Sequence, residues 1–217
     1  MISEIHERTV LQIGSDEMSK QANTDFPVHE LIANRWSPCG FSPQKVSREE
    51  ICSLFEAARW SASSYNEQPW SYIVATQDDT AEFEKVLSCL VDGNQAWAKA
   101  APVLAICCTN RKFARNDKPN TAADHDLGLA VANLSLEATS RGIAVHQMIG
   151  ILPGKARALF EIPDGVDPLT AMAIGYSADP DTLPDDLRQR DESPRSRKPL
   201  QDFLFGGTWG STSKLVT

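Results

Sequence analysis

Apolar and polar positions alternate along this chain with two distinct periods. Ile51, Leu54, Phe55 and Ala58 stand at i, i+3, i+4 and i+7, the spacing of a helix with one buried face. Ser47-Arg48-Glu49-Glu50 precedes them with capping-box spacing, so the hydroxyl takes an orphan N–H and the carboxylate reaches back. Val28, Leu31 and Ile32 predict a short helix over 28–35 that stops near Pro38. Phe83, Val86, Leu87 and Leu90 predict another, broken by Asp92-Gly93-Asn94. Leu127, Ala130, Val131, Leu134 and Ala138 mark a long helix over 124–141, apolar on so wide a face that it belongs at the centre. Gly142 is placed to cap its C-terminus. Pro153 leads into a short helix over 156–160.

The second period is that of strands. Trp70–Thr76, Ile143–Met148 and Pro168–Tyr176 are short apolar runs bounded by turn residues, and Ile149-Gly150 reads as a turn. Pro102–Cys108 is continuously apolar, which predicts a strand buried on both faces with Cys107 and Cys108 as core thiols. Between these elements, 110–123 is polar and basic without a pattern and reads as a mobile excursion, a lid or an interface segment. Residues 179–192 are acidic and proline-bearing, which predicts surface. The 110–123 excursion and residues near Trp97 are expected to set substrate choice.

A length of 217 residues fits one domain, read as an N-terminal arm over 1–25 and a single domain over 26–217 with a C-terminal arm. A net charge of −8 argues against bulk binding of nucleic acid, which needs a surplus of cations. It leaves room for a local basic pocket. Five cysteines, at 39, 52, 89, 107 and 108, are odd in number and lack CxxC spacing, so a reducing, cytoplasmic location is expected, with no disulfide framework and no metal knuckle. No 18-residue apolar run predicts a membrane span, and the first 25 residues lack the apolar core of a secretory signal. The glycine-rich dinucleotide and P-loop fingerprints, HExxH and GxSxG are all missing, and the four histidines are scattered.

The candidate chemistry gathers in few places. Arg59–Trp70 joins a helix to a strand through Ser63, Ser64, Asn66 and Gln68, bracketed by Trp60 and Trp70. This is either an ordinary polar loop or an aromatic-walled cradle for a planar polar ligand. Arg35 and Ser37 form either a capping pair or an anion site. Arg195, Arg197 and Lys198 are either a solvated charge run or a phosphate or carboxylate clamp, since guanidinium forks match such oxygens in pairs. Cys39 is a candidate nucleophile without a histidine near it in sequence. Asp124-His125-Asp126 is either part of a proton relay or the polar start of the long helix.

Four of these stretches, in order, resemble the FMN-dependent nitroreductase family: Arg35-Trp36-Ser37, Ser63-Ser-Tyr-Asn-Glu-Gln-Pro-Trp70, the Gly128–Ala138 helix with its Gly142 stop, and Arg195-Ser-Arg-Lys-Pro-Leu200. The likeness runs over roughly residues 28 to 210. It implies an α+β fold, a mixed and mostly antiparallel sheet wrapped by helices, in an intertwined homodimer with FMN at the interface. It assigns Arg35, Ser37, Arg195, Arg197 and Lys198 to the phosphate and ribityl end. It places Ser63, Ser64, Asn66 and Gln68 along the ribityl or isoalloxazine, some of them reaching across the dimer. Trp36, Cys39 and Met148 lie within or beside the matching stretches and join the cofactor-binding set. Ile149 and Gly150 lie over the ring with an N–H toward its N5, and Asn94 is a further contact.

The implied activity is ping-pong hydride transfer from NAD(P)H, as electron donor, to a small acceptor such as a nitroaromatic or a quinone. The flavin carries the chemistry, so no catalytic side chain and no metal is assigned. Many relatives carry Arg or Lys where Cys39 stands, which implies a lower flavin potential here unless another donor supplies the charge. Two alternatives stay open: different redox chemistry on the same fold, such as a dehydrogenase or a dehalogenase, and a non-catalytic dimer that binds a flavin or another anion.

Overall fold

The computed structural model describes residues 20–216. Its centre is a four-stranded sheet in the order β1-β2-β4-β3, formed by β1 (Trp70–Thr76), β2 (Val103–Asn110), β3 (Ala144–Met148) and β4 (Val166–Gly175). Every pairing in it is antiparallel. The seven α-helices among the described residues are α1 (Glu30–Asn34), α2 (Arg48–Arg59), α3 (Thr80–Leu87), α4 (Asp92–Ala98), α5 (Ala123–Ser140), α6 (Pro153–Leu159) and α7 (Asp185–Glu192).

Strand β2 explains the layering. Its seven residues Val103–Thr109 are all buried, because both faces of the sheet are covered. Leu104, Ile106 and Cys108 point into one core with Phe83, Val86, Trp97 and Ala156 from α3, α4 and α6. Val103, Ala105 and Cys107 point into a second core with Leu54, Ala58, Leu127, Val131 and Leu134 from α2 and α5. The period of two in side-chain direction turns one continuous apolar run into the wall of two cores. Pro168 sits where the β2–β4 register shifts between Cys107 and Cys108, a bulge that spares the missing N–H.

Helix α2 opens on Ser47 with both halves of the capping box formed: Glu50 N–H donates to the Ser47 hydroxyl at 3.2 Å and Ser47 N–H donates to Glu50 at 2.8 Å. Helix α5 is followed, just past its Arg141 cap, by Gly142, whose φ of 70° lets the chain turn directly into β3.

Several expectations need correction. Asp92-Gly93-Asn94 does not end a helix; it is the first turn of α4, and the break falls earlier, over 88–91. The 110–123 stretch is not shapeless. Lys112 bridges Pro119, and Phe113 N–H donates to Lys118 O at 2.9 Å, which closes a hairpin. Trp97 itself is buried, its ring centroid 4.4 Å from that of His146. Asp191, inside the acidic stretch expected at the surface, is 5% exposed. Most of the N-terminal arm lies outside the described residues, but its end is tied down: Ala22 N–H donates to Ala33 O at 2.9 Å and Lys20 Nζ to Ser193 O at 2.9 Å.

Candidate functional site

Strand β3 is an edge, and the segment after α1 lies along it. Helix α1 is short because Arg35 turns extended, with ψ of 122°. The chain then runs beside β3: Ser37 Oγ lies 3.4 Å from Val145 O, and His146 Nδ1 lies 2.7 Å from Pro38 O. Arg35 is half-buried here and donates to Ser37 Oγ at 3.1 Å. From the far end of the chain, Arg195 donates to Ala33 O at 2.6 Å and to Lys20 O. Burial first, then the charges of Arg195 and Arg197, hold the Arg35 guanidinium below its ordinary value. Burial and Arg197 do the same to Arg195. None of the ion pairs among the described residues includes these three arginines. Three guanidinium groups that repel one another, without an ion-pair partner among the described residues, form a slot whose electrostatic cost an anion relieves.

Cys39 and Gly40 continue this segment into the core. Both of their amides donate to Asp191, at 2.8 Å each, one to each carboxylate oxygen. A buried carboxylate on α7 thus pins the segment that carries Arg35 and Ser37. The Cys39 thiol is 3.9 Å from His146 Nδ1, so the structure supplies the histidine that the sequence does not place. It does not make a nucleophile. Burial, chiefly, pushes the thiol up to about 11, so it stays protonated at neutral pH. Burial also lowers His146, which is therefore an uncharged ring donating to Pro38 O.

The end of β3 is a raised platform. Met148 is core, whereas Ile149, next to it, is 88% exposed. Gly150 O accepts from Asn94 Nδ2 at 3.0 Å and from Val91 N–H at 3.1 Å. A Cβ at Gly150 would lie 2.5 Å from Asn94 Nδ2 and 2.8 Å from Val91 Cγ2, so a larger residue would push the Asn94 amide off its bond to Gly150 O. The Ile149 and Gly150 amides donate to no acceptor among the described residues. Asn94 therefore works by positioning Gly150.

The polar joint between α2 and β1 is strained. Tyr65, Asn66 and Gln68 have φ of 54°, 57° and 52°, a left-handed conformation that costs each non-glycine residue free energy. Hydrogen bonds hold it: Gln68 N–H to Ser63 Oγ at 3.0 Å, Gln68 Nε2 to Asn66 O at 3.1 Å, and Ser64 N–H to Asp126 at 2.9 Å. Asp126 is 1% exposed on α5. One of its oxygens anchors this shelf, and the other lies 3.2 Å from His125 Nδ1. Asn66 and Gln68 are left exposed.

One chain thus joins Arg35, Ser37, Arg195 and Arg197 into one cluster, and Asn94, Ile149 and Gly150 into another farther along β3. Trp36 lies beside the first, 5.6 Å under Lys20 Nζ. Lys198 is exposed beyond Arg197. Among the described residues, the shelf of Ser63, Ser64, Asn66 and Gln68 makes no hydrogen bond to either cluster; its partners are Asp126 and its own backbone. Sequence reasoning missed Asp191, which hides in an acidic run. It also missed the anchoring role of Asp126, although that residue falls on the same stripe as Leu127, Ala130 and Leu134, where a carboxylate is out of place.

Comparison with known proteins gives a consistent result. The sequence model of the Nitroreductase family matches residues 32–176. The chain is 29% identical over 157 residues to a putative NADH dehydrogenase/NAD(P)H nitroreductase of Methanothermobacter thermautotrophicus, covering 70% of this chain and 78% of that one. It is 33% identical over 134 residues to a 15.4 kDa protein of Mycolicibacterium smegmatis, covering 62% of this chain and 89% of that one. Among solved structures, an oxidoreductase containing FMN aligns over 91% of this chain and 100% of its own, at 31% identity and a TM-score of 0.82. A nitroreductase family protein of Clostridium difficile aligns over 82% of this chain and 96% of its own, at 21% identity and a TM-score of 0.64, a likeness of fold. The family match spans most of the chain and includes Arg35, the strained shelf and the Gly150 platform: the chain belongs to the Nitroreductase family.

Proposed function

We propose that this protein is an FMN-dependent oxidoreductase, working as a homodimer, that takes hydride from NAD(P)H and passes it to a small acceptor such as a nitroaromatic or a quinone. Family membership and the FMN named for the 31% identical structure support the cofactor. The observation that carries the reading is the gathering of Arg35, Arg195 and Arg197 from opposite ends of the chain into one slot, none of them in an ion pair among the described residues.

The donor set fits the group. Guanidinium forks and the Ser37 hydroxyl suit a phosphate. The exposed amide side chains of Asn66 and Gln68 suit the imide and ribityl oxygens of a flavin. Ile149 offers apolar surface to a flat ring, and the Ile149 and Gly150 amides offer N–H donors at its edge. FMN, when bound, supplies the atom that accepts and returns the hydride. The protein's part is to hold and orient. Asp191 fixes the segment carrying Arg35 and Ser37, Asn94 fixes Gly150, and Asp126 fixes the shelf. The Cys39 thiol, protonated at neutral pH, takes no part as a nucleophile.

The proposed second copy has two parts in this reading. It lets the shelf of one chain face the arginine slot of the other. It also covers apolar surface that one chain leaves exposed, including Phe26, Ile32, Phe203, Trp209 and Leu215. The test is to load the purified protein with FMN and mix it anaerobically with each nicotinamide. Bleaching of the bound flavin, followed by return of colour on adding a quinone or a nitroaromatic, is expected. Protein that retains no flavin after gel filtration contradicts the reading.

A further inference from the structure

The hairpin over 111–120 is docked on the strained shelf. Ala114 N–H donates to Glu67 Oε1 at 2.6 Å. The Phe113 and Tyr65 rings meet edge to face, with centroids 5.8 Å apart and planes at 85°. Arg115 stacks on the same aromatics, its guanidinium carbon 4.0 Å from the Tyr65 centroid and 5.2 Å from that of Phe113. Tyr65 holds this place in the left-handed region, which is unusual for a bulky side chain, and stays 74% exposed.

The charges here are unevenly spent. Arg111 pairs with Asp124 and Asp167, at 2.7 Å each, and Lys112 with Asp117 at 2.9 Å. Arg115 and Lys118 belong to no ion pair among the described residues. Of the four cations on this hairpin, these two are left to meet an anion from outside, and Arg115 is the one held in place by aromatic rings. Stacking uses the face of a guanidinium and leaves its in-plane N–H groups available, the arrangement that suits two oxygens of one phosphate. The aromatic pair fixes the head group in advance, so less side-chain freedom is lost when an anion arrives.

We infer that Arg115, stacked on Tyr65 and assisted by Lys118, is an anion subsite at the rim of the shelf that takes the 2′-phosphate of NADPH and so selects NADPH over NADH. This rests on the flavin reading above, because the shelf is the part of the chain assigned to the ring and its ribityl arm. The two nicotinamide dinucleotides differ only in that phosphate, and an unpaired arginine is the group that reads the difference. The 110–120 hairpin is thus a specificity element for the electron donor.

The test uses FMN-loaded protein. In anaerobic rapid mixing, the wild type is expected to reduce at least tenfold more efficiently with NADPH than with NADH. Arg115→Ala is expected to lower the NADPH efficiency by about tenfold to a hundredfold, the loss of one charge-assisted contact, and to leave NADH within about twofold. Calorimetry gives a readout independent of turnover. 2′-phospho-ADP-ribose should bind more tightly than ADP-ribose, the difference should shrink with added salt, and Arg115→Ala should abolish it. Equal use of both nicotinamides by the wild type, or an unchanged ratio in Arg115→Ala, overturns the subsite and leaves the flavin reading standing. Bleaching by neither nicotinamide overturns both.

Discussion

Asp191→Asn tests how the arginine slot is held. The wild-type carboxylate accepts the Cys39 and Gly40 amides at 2.8 Å each and is 5% exposed, so water cannot replace it. Asparagine keeps the shape but offers one acceptor, and its NH2 then faces a peptide N–H. One buried amide is orphaned, at a cost of about 1–3 kcal/mol. For a chain of this length, that is roughly 2–4 °C of melting temperature per kcal/mol. The same change frees the segment that carries Arg35 and Ser37, so FMN affinity should fall as well. Thermal melts of apo and FMN-saturated protein, with fluorescence titration of FMN, measure both. The gap between apo and saturated melting temperatures should narrow in the variant, because ligand stabilisation follows affinity. A variant that melts with the wild type and binds FMN equally well would refute the claim that Asp191 positions the slot.

Three further outcomes follow from the same geometry. Arg197→Gln removes one of three mutually repelling cations, so apo stability should hold or rise while FMN binding weakens by about tenfold or more, read by melts and fluorescence titration. Gly150→Ala drives a Cβ to 2.5 Å from Asn94 Nδ2 and should cost flavin binding more than folding, read as lost visible absorption with an intact far-UV spectrum. Cys39 ionises at about 11 in the folded chain against an ordinary value of 9.0. The unfolded thiol loses its proton first, so its contribution to stability is complete below pH 9 and is lost as pH rises from about 9 to 11. Denaturant melts across that range should show a smaller decline in Cys39→Ala than in the wild type, and iodoacetamide at pH 7 should label exposed Cys52 and spare Cys39.

Much of this was legible in the sequence, for physical reasons that differ by element. Strand β1 lies at Trp70–Thr76 as read, because Pro69 and the apolar run fix both its ends. Helix α2 follows from its capping box, and β2 is buried on both faces as its unbroken apolar run implies. The first turn of α4 was misread because glycine at Gly93 signals a break, while burial of Trp97 and Ala98 overrides that weak local preference. The docking of the 111–120 hairpin was invisible because it comes from Tyr65 and Glu67, nearly fifty residues earlier. The arginine cluster was foreseen only as residue types; that Arg35 and Arg195 meet is a fact of tertiary structure. Asp191 was missed because a buried carboxylate and a solvated one look alike in an acidic run.

The central claim is that two copies of this 23.8 kDa chain complete one another's flavin sites. Sedimentation velocity with added FMN, followed at the flavin's visible band, tests it most directly. The account predicts that the colour sediments with a species of twice the chain mass, carrying one flavin per chain. Colour that stays with the small solutes, or that travels with a single chain, would contradict it.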